Sequence, residues 1–291
     1  MSAERFNSRS AWVSLLREHQ IRPDKRLGQH FLFDLSALDR VVAAAELRAG
    51  QTVLEIGAGV GALTRALAAR AQRVIAVEFD RRLLPALSEA VADLGQVQVV
   101  LGDILSMPLD ELVVGSPYAV VANIPYNLTS AILRKLMEAA TKPAVVVLTV
   151  QREVAERITA GPGQMSLLAL GVQVYGEPEI RGHIQRDAFY PAPDVDSAIL
   201  RIVMREQPFW DSALDDWAFS LARAGFGQRR KQLKNALAIG LGAPVEQTAS
   251  WLREVGIDPA RRAQTLTLEE WALLAGGASG WMRRVERDRG G

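Results

Sequence analysis

The sequence predicts an α/β domain built on a mostly parallel sheet, followed by a smaller domain made only of helices. Three observations support this prediction. Between residues 51 and 151, short apolar runs alternate with helix-like segments of about ten residues, which is typical of βαβ units. The first apolar run ends in a glycine-rich turn. After about residue 206, apolar residues recur at helical spacing and no strand-like run follows.

The expected elements follow one another in a simple order along the chain. Aliphatic runs predict strands in the stretches 51–61, 73–80, 97–103, 118–124, 144–151 and 188–204. Segments rich in Ala and Leu predict helices at 62–71, 82–94 and 130–140. We therefore expect one domain over residues 1–207, with an N-terminal helical extension, and a helical domain over 208–291. Inside the second domain, Thr267 followed by Glu270 predicts a helix start.

The composition is that of an ordinary globular protein, and it excludes several classes. The length of 291 residues suggests about two domains, and 49% hydrophobic with 23% charged residues is a usual balance. Three histidines and no cysteine argue against disulfides and a zinc site, so no metal is expected. The sequence has no apolar stretch of about 18 residues and no apolar signal core near its start. We expect a cytoplasmic protein with no membrane contact.

The stretch EIGAGVG brings three glycines between the first strand and the following helix: Gly57, Gly59 and Gly61. Glycines in this place allow left-handed backbone conformations and let backbone N–H groups approach a ligand. The spacing G-x-G-x-G differs from the dinucleotide fingerprint, and no Lys with Ser or Thr follows as in nucleoside triphosphate loops. Gly57 and Gly59 are therefore candidate ligand contacts, with a plain tight turn as the alternative.

Acidic residues end the next two predicted strands, Glu78 about 20 residues after Gly57 and Asp103 in LGDIL. The carboxyl ends of parallel strands meet at one edge of an open sheet, where a carboxylate accepts hydrogen bonds from ribose hydroxyls. Each acid alone fits a helix cap or a solvated charge, but together with the glycine turn they favour an adenosine-containing ligand. Since no pyrophosphate loop is present, S-adenosyl-L-methionine fits best. The first domain is thus expected to be a Rossmann-like methyltransferase domain.

The fourth predicted strand ends in the tetrapeptide Asn-Ile-Pro-Tyr at 123–126, at the same edge of the sheet. An amine conjugated to an aromatic ring is a poor nucleophile, because its lone pair is delocalised. The Asn123 side-chain oxygen and a backbone carbonyl held by the rigid Pro125 turn are able to accept both amine hydrogens, which favours a pyramidal nitrogen. Tyr126 offers a stacking face for a planar substrate. An ordinary turn with Tyr126 in the core is the alternative.

Phe189, in the stretch AFYPAPDVDS, is a candidate for a second surface that stacks on a base. The alternative is a Phe that anchors the proline loop. The chemistry needs neither a metal nor a strong base, since the nitrogen becomes acidic once it is alkylated. Alignment of the reactants would supply most of the rate, up to about 7–11 kcal/mol. The predicted catalytic residues are Asn123, Pro125, Tyr126 and Phe189.

Eight segments carry a resemblance to a known family: KRLGQHFL (25–32), EIGAGVGALT (55–64), VEFD (77–80), GDIL (102–105), NIPYNLTS (123–130), FYPAPDVDSAILR (189–201), FGQRRKQLKNAL (226–237) and GIDPARRAQTLTLEEW (256–271). Together they resemble the KsgA-type small-subunit ribosomal RNA adenine N6,N6-dimethyltransferases, from about residue 20 to 275. Related enzymes that act on large-subunit rRNA share the N-terminal domain but usually lack this helical ending.

The resemblance implies a set of site residues and a substrate. The implied cofactor-binding residues are His30 and Leu32 at the methionine end, Gly57 in the loop, Glu78 at the ribose, Asp103 at the adenine and Asn123 beside the target amine. The family usually has Asn where this chain has His30. The implied substrate is a pair of adjacent adenosines near the 3′ end of small-subunit rRNA. Each would be methylated twice at the exocyclic amine.

Five basic residues of the second domain lie in a stretch without acidic residues: Arg223, Arg229, Arg230, Lys231 and Lys234. Such a cluster neutralises RNA phosphates, and its binding weakens as salt rises. The alternative is a solvated helix face. Because the formal net charge is only +1, any positive potential that attracts RNA must be local.

Two rival functions remain open. An amino methyltransferase for DNA adenine or protein glutamine would use a similar Asn-Pro-Pro-Tyr-like motif, but the basic helical segment argues against it. A non-catalytic rRNA-binding ribosome-assembly factor would keep the fold, although every expected cofactor and substrate position carries a competent residue. A dehydrogenase is less favoured still, since no hydride-transfer partner is visible. We predict a monomeric rRNA adenine dimethyltransferase whose partner is the immature small ribosomal subunit, with a role late in subunit biogenesis.

Overall fold

The computed structural model describes residues 5–113 and 117–289, with their side chains except at 25, 278–280 and 282–289. The described helices are α1 (Arg9–Glu18), α2 (Leu35–Ala44), α3 (Ala62–Ala68), α4 (Leu84–Val91), α5 (Leu109–Leu112), α6 (Thr129–Glu138), α7 (Arg152–Ile158), α8 (Leu167–Gln173), α9 (Asp215–Gly227), α10 (Leu233–Leu241), α11 (Val245–Glu254) and α12 (Leu268–Arg289). Within this described part, no helix combines the length and apolar character needed to cross a bilayer.

The strands are β1 (Phe31–Leu32), β2 (Thr52–Ile56), β3 (Arg73–Glu78), β4 (Val97–Leu101), β5 (Tyr118–Asn123), β6 (Val145–Gln151), β7 (Gly176–Ile184), β8 (Phe189–Tyr190) and β9 (Ser197–Met204). A seven-stranded sheet has the order β4-β3-β2-β5-β6-β9-β7. The strands from β2 to β6 pair in parallel, and β9 runs antiparallel to β6. The predicted α/β class with a mostly parallel sheet is confirmed.

The strand order reverses between β2 and β5. From β2 the chain adds β3 and then β4 on one side, and afterwards adds β5 and β6 on the other side. In open α/β sheets, a reversal of this kind leaves a crevice outside the carboxyl ends of the strands, where ligands bind. The glycine turn after β2 and the Asn123 corner at the end of β5 therefore lie side by side.

The central strands are aliphatic because both of their faces are covered. Residues 118–122 of β5 and 145–150 of β6 are all buried, which explains runs such as YAVVA and VVVLTV. The edge strand β4 is only partly buried. Polar residues are also buried in the sheet strands, among them Glu55 in β2, Glu78 in β3 and Thr149 in β6.

A second, two-stranded sheet joins the N-terminal segment to the proline-rich loop. The strands β1 and β8 pair antiparallel, with Phe31 opposite Tyr190 and Leu32 opposite Phe189. All four residues belong to the hydrophobic core or pack against it. This pairing brings the segment before β2 close to the edge of the main sheet where the predicted ligand contacts lie.

The described residues divide into two compact units. One unit comprises residues 5–155 and 178–204 of the described chain, and the other comprises residues 156–177 together with those from 205 onward. The second unit is not continuous in sequence, because it takes in α8 as well as α9 to α12. The predicted boundary at residue 207 stays a prediction.

Several elements match their prediction and others were not predicted. The helix start at Thr267 is confirmed, since Glu270 N donates to Thr267 Oγ1 at 3.2 Å and Thr267 N donates to Glu270 Oε2 at 2.8 Å. The region between 152 and 184 received no assignment from the sequence. It contains α7, α8 and the edge strand β7, whose alternating exposure gives only a weak pattern.

Candidate active site

A cavity of about 310 Å³ opens at the reversal of the sheet. Its walls come from the N-terminal segment 26–33, the glycine turn, the ends of β3 and β4, and the corner after β5. It collects nearly all of the predicted cofactor and catalytic residues: His30, Leu32, Gly57, Gly59, Glu78, Asp103, Asn123, Pro125 and Tyr126. Residues far apart in the sequence thus form one concave surface, of a size usual for small-molecule sites.

The glycine turn is held in a conformation that requires glycine. Gly57 and Gly59 have φ angles of 75° and 61°, in the left-handed region. A Cβ atom at Gly59 would stand 3.1 Å from two ring carbons of Phe31. Gly59 N donates to Glu78 Oε2 at 2.7 Å, so the turn after β2 is tied to the end of β3. The turn is therefore pre-shaped before any ligand binds.

Glu78 is a buried carboxylate whose oxygens face backbone donors. Its Oε2 accepts from Gly59 N, and its Oε1 accepts from Asp80 N at 2.7 Å. Burial raises the pKa of Glu78, and the hydrogen bonds from Asp80 N and Gly59 N oppose that rise. Each carboxylate oxygen keeps a further lone pair, so ribose hydroxyls are able to donate to it.

Glu55, two residues before Gly57, was not predicted as a site residue. It lines the cavity and is 1% exposed, and neither of its oxygens has a hydrogen-bond partner among the described residues. Burial raises its pKa to about 8, while the neighbouring Thr64 hydroxyl lowers it and Glu78 adds a smaller rise. The only signal in the sequence was an acid in an aliphatic strand just before the glycines.

Asp103 follows β4 and lies on the exposed side of the cavity. Its Oδ1 accepts from Leu105 N at 2.9 Å, which fixes the carboxylate at the turn. Within the described residues, its second oxygen has no hydrogen-bond partner. It is free to accept a hydrogen bond from an exocyclic amine of a bound nucleoside.

The Asn123 side chain is fixed from two sides. Its Nδ2 donates to the backbone oxygen of His30 at 2.9 Å, and its Oδ1 accepts from the Thr149 hydroxyl. The corner continues through Pro125, whose Cβ lies 3.1 Å from the position that a Cβ on Gly28 would take. Asn123 therefore joins the N-terminal segment to the sheet at the cavity wall.

Tyr126 and His30 form a small aromatic pair on the same wall. Their rings stack with centroids 6.0 Å apart and planes inclined by 18°. The Tyr126 hydroxyl shares a 2.7 Å hydrogen bond with Ser197 Oγ, and burial raises the pKa of Tyr126. His30 Nδ1 lies 2.8 Å from the Pro191 carbonyl, so this nitrogen carries a proton and donates. The half-buried Tyr126 ring is held in place with part of its surface open.

Phe189 is the exception among the predicted catalytic residues. Its side chain has no exposed surface and belongs to the hydrophobic core, because β8 pairs with β1 and turns the ring inward. A fully buried ring has no face to offer to a base. The prediction of Phe189 as a stacking surface is corrected, and the anchor of the proline loop describes it better.

The predicted RNA-binding residues lie in the second unit, in and around the connection between α9 and α10. Arg229, Arg230 and Lys231 are exposed and lie in this connection, outside both helices. Arg223 on α9 is exposed, and Lys234 on α10 is half-buried. No ion pair involves these five residues within the described part of the chain. Three of the five are therefore loop residues, and the alternative of a solvated helix face does not describe them.

The residues of the cavity fit S-adenosyl-L-methionine. The turn would bring backbone N–H groups close to the ligand, Glu78 would offer a carboxylate to the ribose hydroxyls, and Asp103 would offer an acceptor to the adenine amine. In residues 5–113 and 117–289, no group of three or more His, Asp or Glu side chains is arranged to hold a metal ion.

Sheet order and strand-end chemistry of this kind define a Rossmann-like S-adenosyl-L-methionine-dependent methyltransferase. The family model described as ribosomal RNA adenine dimethylase matches residues 20–276. The chain belongs to this family, and the resemblance noted in the sequence is confirmed. It is thus an S-adenosyl-L-methionine-dependent rRNA adenine dimethyltransferase.

Relatives and solved structures agree with this membership. Ribosomal RNA small subunit methyltransferase A of Dehalococcoides mccartyi (strain CBDB1) is 45% identical over 261 residues, covering 89% of this chain and 90% of that protein. The crystal structure of 23S rRNA methyltransferase ErmE is similar with a TM-score of 0.68 and 30% identity, covering 86% of this chain and 99% of that chain. A dimethyladenosine transferase from Plasmodium falciparum has the same fold, with a TM-score of 0.76 and 24% identity. The similarity covers 87% of this chain and 98% of that chain.

Proposed function

We propose that the protein transfers methyl groups to the exocyclic N6 of two adjacent adenosines near the 3′ end of small-subunit rRNA, giving dimethyladenosines. The name of the Dehalococcoides mccartyi relative supports the small subunit, because that relative is 45% identical and the 23S rRNA enzyme is 30% identical. The fold does not separate the two substrates, since the similarity to the 23S rRNA enzyme covers most of the chain, beyond the N-terminal domain. The helical ending is therefore a weaker argument than the sequence suggested.

One observation carries the proposed chemistry: the Asn123 corner and the glycine turn line the same cavity. S-adenosyl-L-methionine supplies a methyl carbon made electrophilic by its sulfonium sulfur. Asn123 Oδ1 and the backbone carbonyl before Pro125 accept the two hydrogens of the adenine amine, which turns its lone pair toward that carbon. Tyr126 stacks against the base.

The methyl transfer needs neither a metal nor a strong base. As the amine nitrogen donates its lone pair to the methyl carbon, the carbon–sulfur bond breaks and its electron pair stays on sulfur. The alkylated nitrogen is acidic and releases one proton to water. A second round at the same nitrogen gives the dimethylated product. The chain contributes alignment of the reactants, worth up to about 7–11 kcal/mol.

The proposal extends to partners and location. The exposed residues between α9 and α10 would contact rRNA phosphates of an immature small subunit. The protein would act as a monomer, in the cytoplasm where that subunit is assembled, and late in biogenesis. Methylation would then mark a subunit whose 3′ region has reached a defined state.

The test is to incubate the protein with labelled S-adenosyl-L-methionine and one of three substrates: immature small subunits lacking the modification, naked small-subunit rRNA, or large subunits. We expect label in dimethyladenosine at two neighbouring positions near the 3′ end of small-subunit rRNA, and none in large subunits. Mapping by nuclease digestion and mass spectrometry locates it.

Label in large-subunit rRNA would contradict the proposed substrate and favour an activity like that of the 23S rRNA methyltransferase ErmE. Cofactor binding without any labelled dimethyladenosine would favour the non-catalytic assembly factor. A preference for immature subunits over naked rRNA supports the proposed partner, and equal use of both contradicts it.

A further inference from the structure

Thr149 is a polar residue in a strand that is otherwise aliphatic up to its last residue. The strand β6 has the sequence VVVLTVQ, and its first six residues are buried, with Thr149 fully so. A Val in this place would fill nearly the same volume without burying a hydroxyl. Burial of a hydroxyl is costly unless it is hydrogen-bonded. The Thr149 hydroxyl is therefore expected to serve a specific partner.

That partner is the Asn123 side chain. Asn123 and Thr149 are opposite residues in the parallel pair of β5 and β6, so their side chains leave the sheet on the same face. The Thr149 hydroxyl donates to Asn123 Oδ1. The strand register and the hydrogen bond are two separate observations that point to the same contact.

The contact also decides which way round the Asn123 amide lies. Nδ2 donates to the His30 backbone oxygen at 2.9 Å. With the amide reversed, Oδ1 would face the His30 oxygen, and two acceptors would oppose each other. Thr149 on one side and His30 on the other therefore leave a single favourable orientation.

In this orientation the amide oxygen keeps one lone pair for a substrate. An amide oxygen accepts two hydrogen bonds, and Thr149 occupies one of them. We propose that Thr149 is a positioning residue for methyl transfer: its hydroxyl holds Asn123 so that the remaining lone pair of Oδ1 is aimed at the adenine amine. This inference rests on the proposed role of Asn123 in the reaction.

The proposal has a consequence for the second methyl transfer. An unmodified adenine amine has two hydrogens and is held by two acceptors. After the first transfer the nitrogen keeps one hydrogen, so its orientation depends on a single hydrogen bond. Loosening of the Asn123 side chain should then impair the second transfer more than the first. N6-monomethyladenosine should accumulate when the Thr149 hydroxyl is removed.

The experiment compares Thr149→Val, which removes the hydroxyl, with Thr149→Ser, which keeps it. We expect Thr149→Val to lower kcat for the first transfer about tenfold, the loss of one oriented hydrogen bond. The Kd for S-adenosyl-L-methionine and for rRNA should remain near wild type, and monomethyladenosine should accumulate. Thr149→Ser should restore kcat and the dimethylated product. Thr248→Val serves as a matched control, because Thr248 in α11 is also fully buried but donates to the carbonyl of Pro244, the residue before that helix.

The outcomes separate the inference from the proposed function. If Asn123→Ala abolishes transfer while Thr149→Val retains wild-type kcat and product, the inference on Thr149 is wrong and the role of Asn123 stands. If Asn123→Ala turns over like the wild type, the proposed role of Asn123 itself is wrong. Should Thr149→Val not fold, as judged by its melting temperature, Thr149→Ala is measured instead. Wild-type kcat in that variant overturns the proposal, and a loss that Thr149→Ser does not share supports it.

Discussion

The charge state of Glu55 depends on the fold. The residue is fully buried beside the cavity and has no hydrogen-bond partner among the described residues. Burial raises its pKa from the usual 4.5 to about 8. In the folded protein the carboxyl therefore holds a proton over a pH range in which the unfolded chain has lost it.

This shift predicts a pH dependence of stability. Between about pH 4.5 and 8 the folded state binds the extra proton, so the contribution of Glu55 is fully present at low pH and is lost as the pH rises through 8. The loss approaches roughly 1.4 kcal/mol per pH unit inside this window. Glu55→Gln has no proton to lose, so its melting temperature should gain on that of the wild type as the pH rises from 5 to 8.

Thermal unfolding of both proteins across this pH range provides the measurement. Glu153→Gln is the matched control, because it makes the same substitution at an exposed position in α7. A constant difference between Glu55→Gln and the wild type from pH 5 to 8 would mean that Glu55 is already ionised at low pH.

Among the elements, the turn between β2 and α3 has the strictest geometry. Gly59 has a φ angle of 61°, and a Cβ there would stand 3.1 Å from the Phe31 ring. Phe31 is itself buried and paired in the small sheet with Tyr190, which limits how far its ring is able to move. Gly59→Ala should therefore shift the turn and the hydrogen bond from Gly59 N to Glu78.

We expect Gly59→Ala to weaken S-adenosyl-L-methionine binding about tenfold, because the displaced turn loses one well-placed hydrogen bond. Such a loss costs about 1.4 kcal/mol, which corresponds to a tenfold change in Kd. Isothermal titration measures this Kd. Gly95→Ala is the matched control in the same unit, because a Cβ at Gly95 meets no atom within 4 Å and should leave binding unchanged. Wild-type affinity of Gly59→Ala would show that the turn adapts and is not pre-shaped.

The elements also explain how far the sequence alone was informative. The ends of β2, β3, β4 and β5 were predicted because each is a local pattern, an aliphatic run followed by Gly, Glu, Asp or Asn. The contact of Thr149 with Asn123 was not, because it depends on which strands become neighbours and in which register. Phe189 was misjudged for the same reason, since its burial follows from pairing with a strand more than 150 residues earlier.

On the scale of the whole molecule, the charge is nearly balanced, with 34 basic and 33 acidic residues. Attraction of RNA cannot come from net charge and must come from local groups of unpaired basic residues. The connection between α9 and α10 is such a group, with Arg229, Arg230 and Lys231 all exposed. We therefore expect that mutations are able to weaken RNA binding without changing cofactor binding at the cavity.

Replacement of Arg229, Arg230 and Lys231 by Ala should weaken rRNA binding and flatten its salt dependence. Each phosphate that the protein no longer neutralises reduces the slope of log K against log salt by about 0.7 for single-stranded RNA, so a triple variant should show a slope smaller by about two units. The Kd for S-adenosyl-L-methionine should be unchanged, because the cavity residues belong to the other compact unit.

The test is to measure rRNA binding by filter binding at salt concentrations from roughly 50 to 300 mM, the range in which such slopes are measured. Arg253→Ala, an exposed arginine on α11, should keep the wild-type slope. If the triple variant keeps it as well, these residues are solvated charges, and the phosphates are bound elsewhere on the protein.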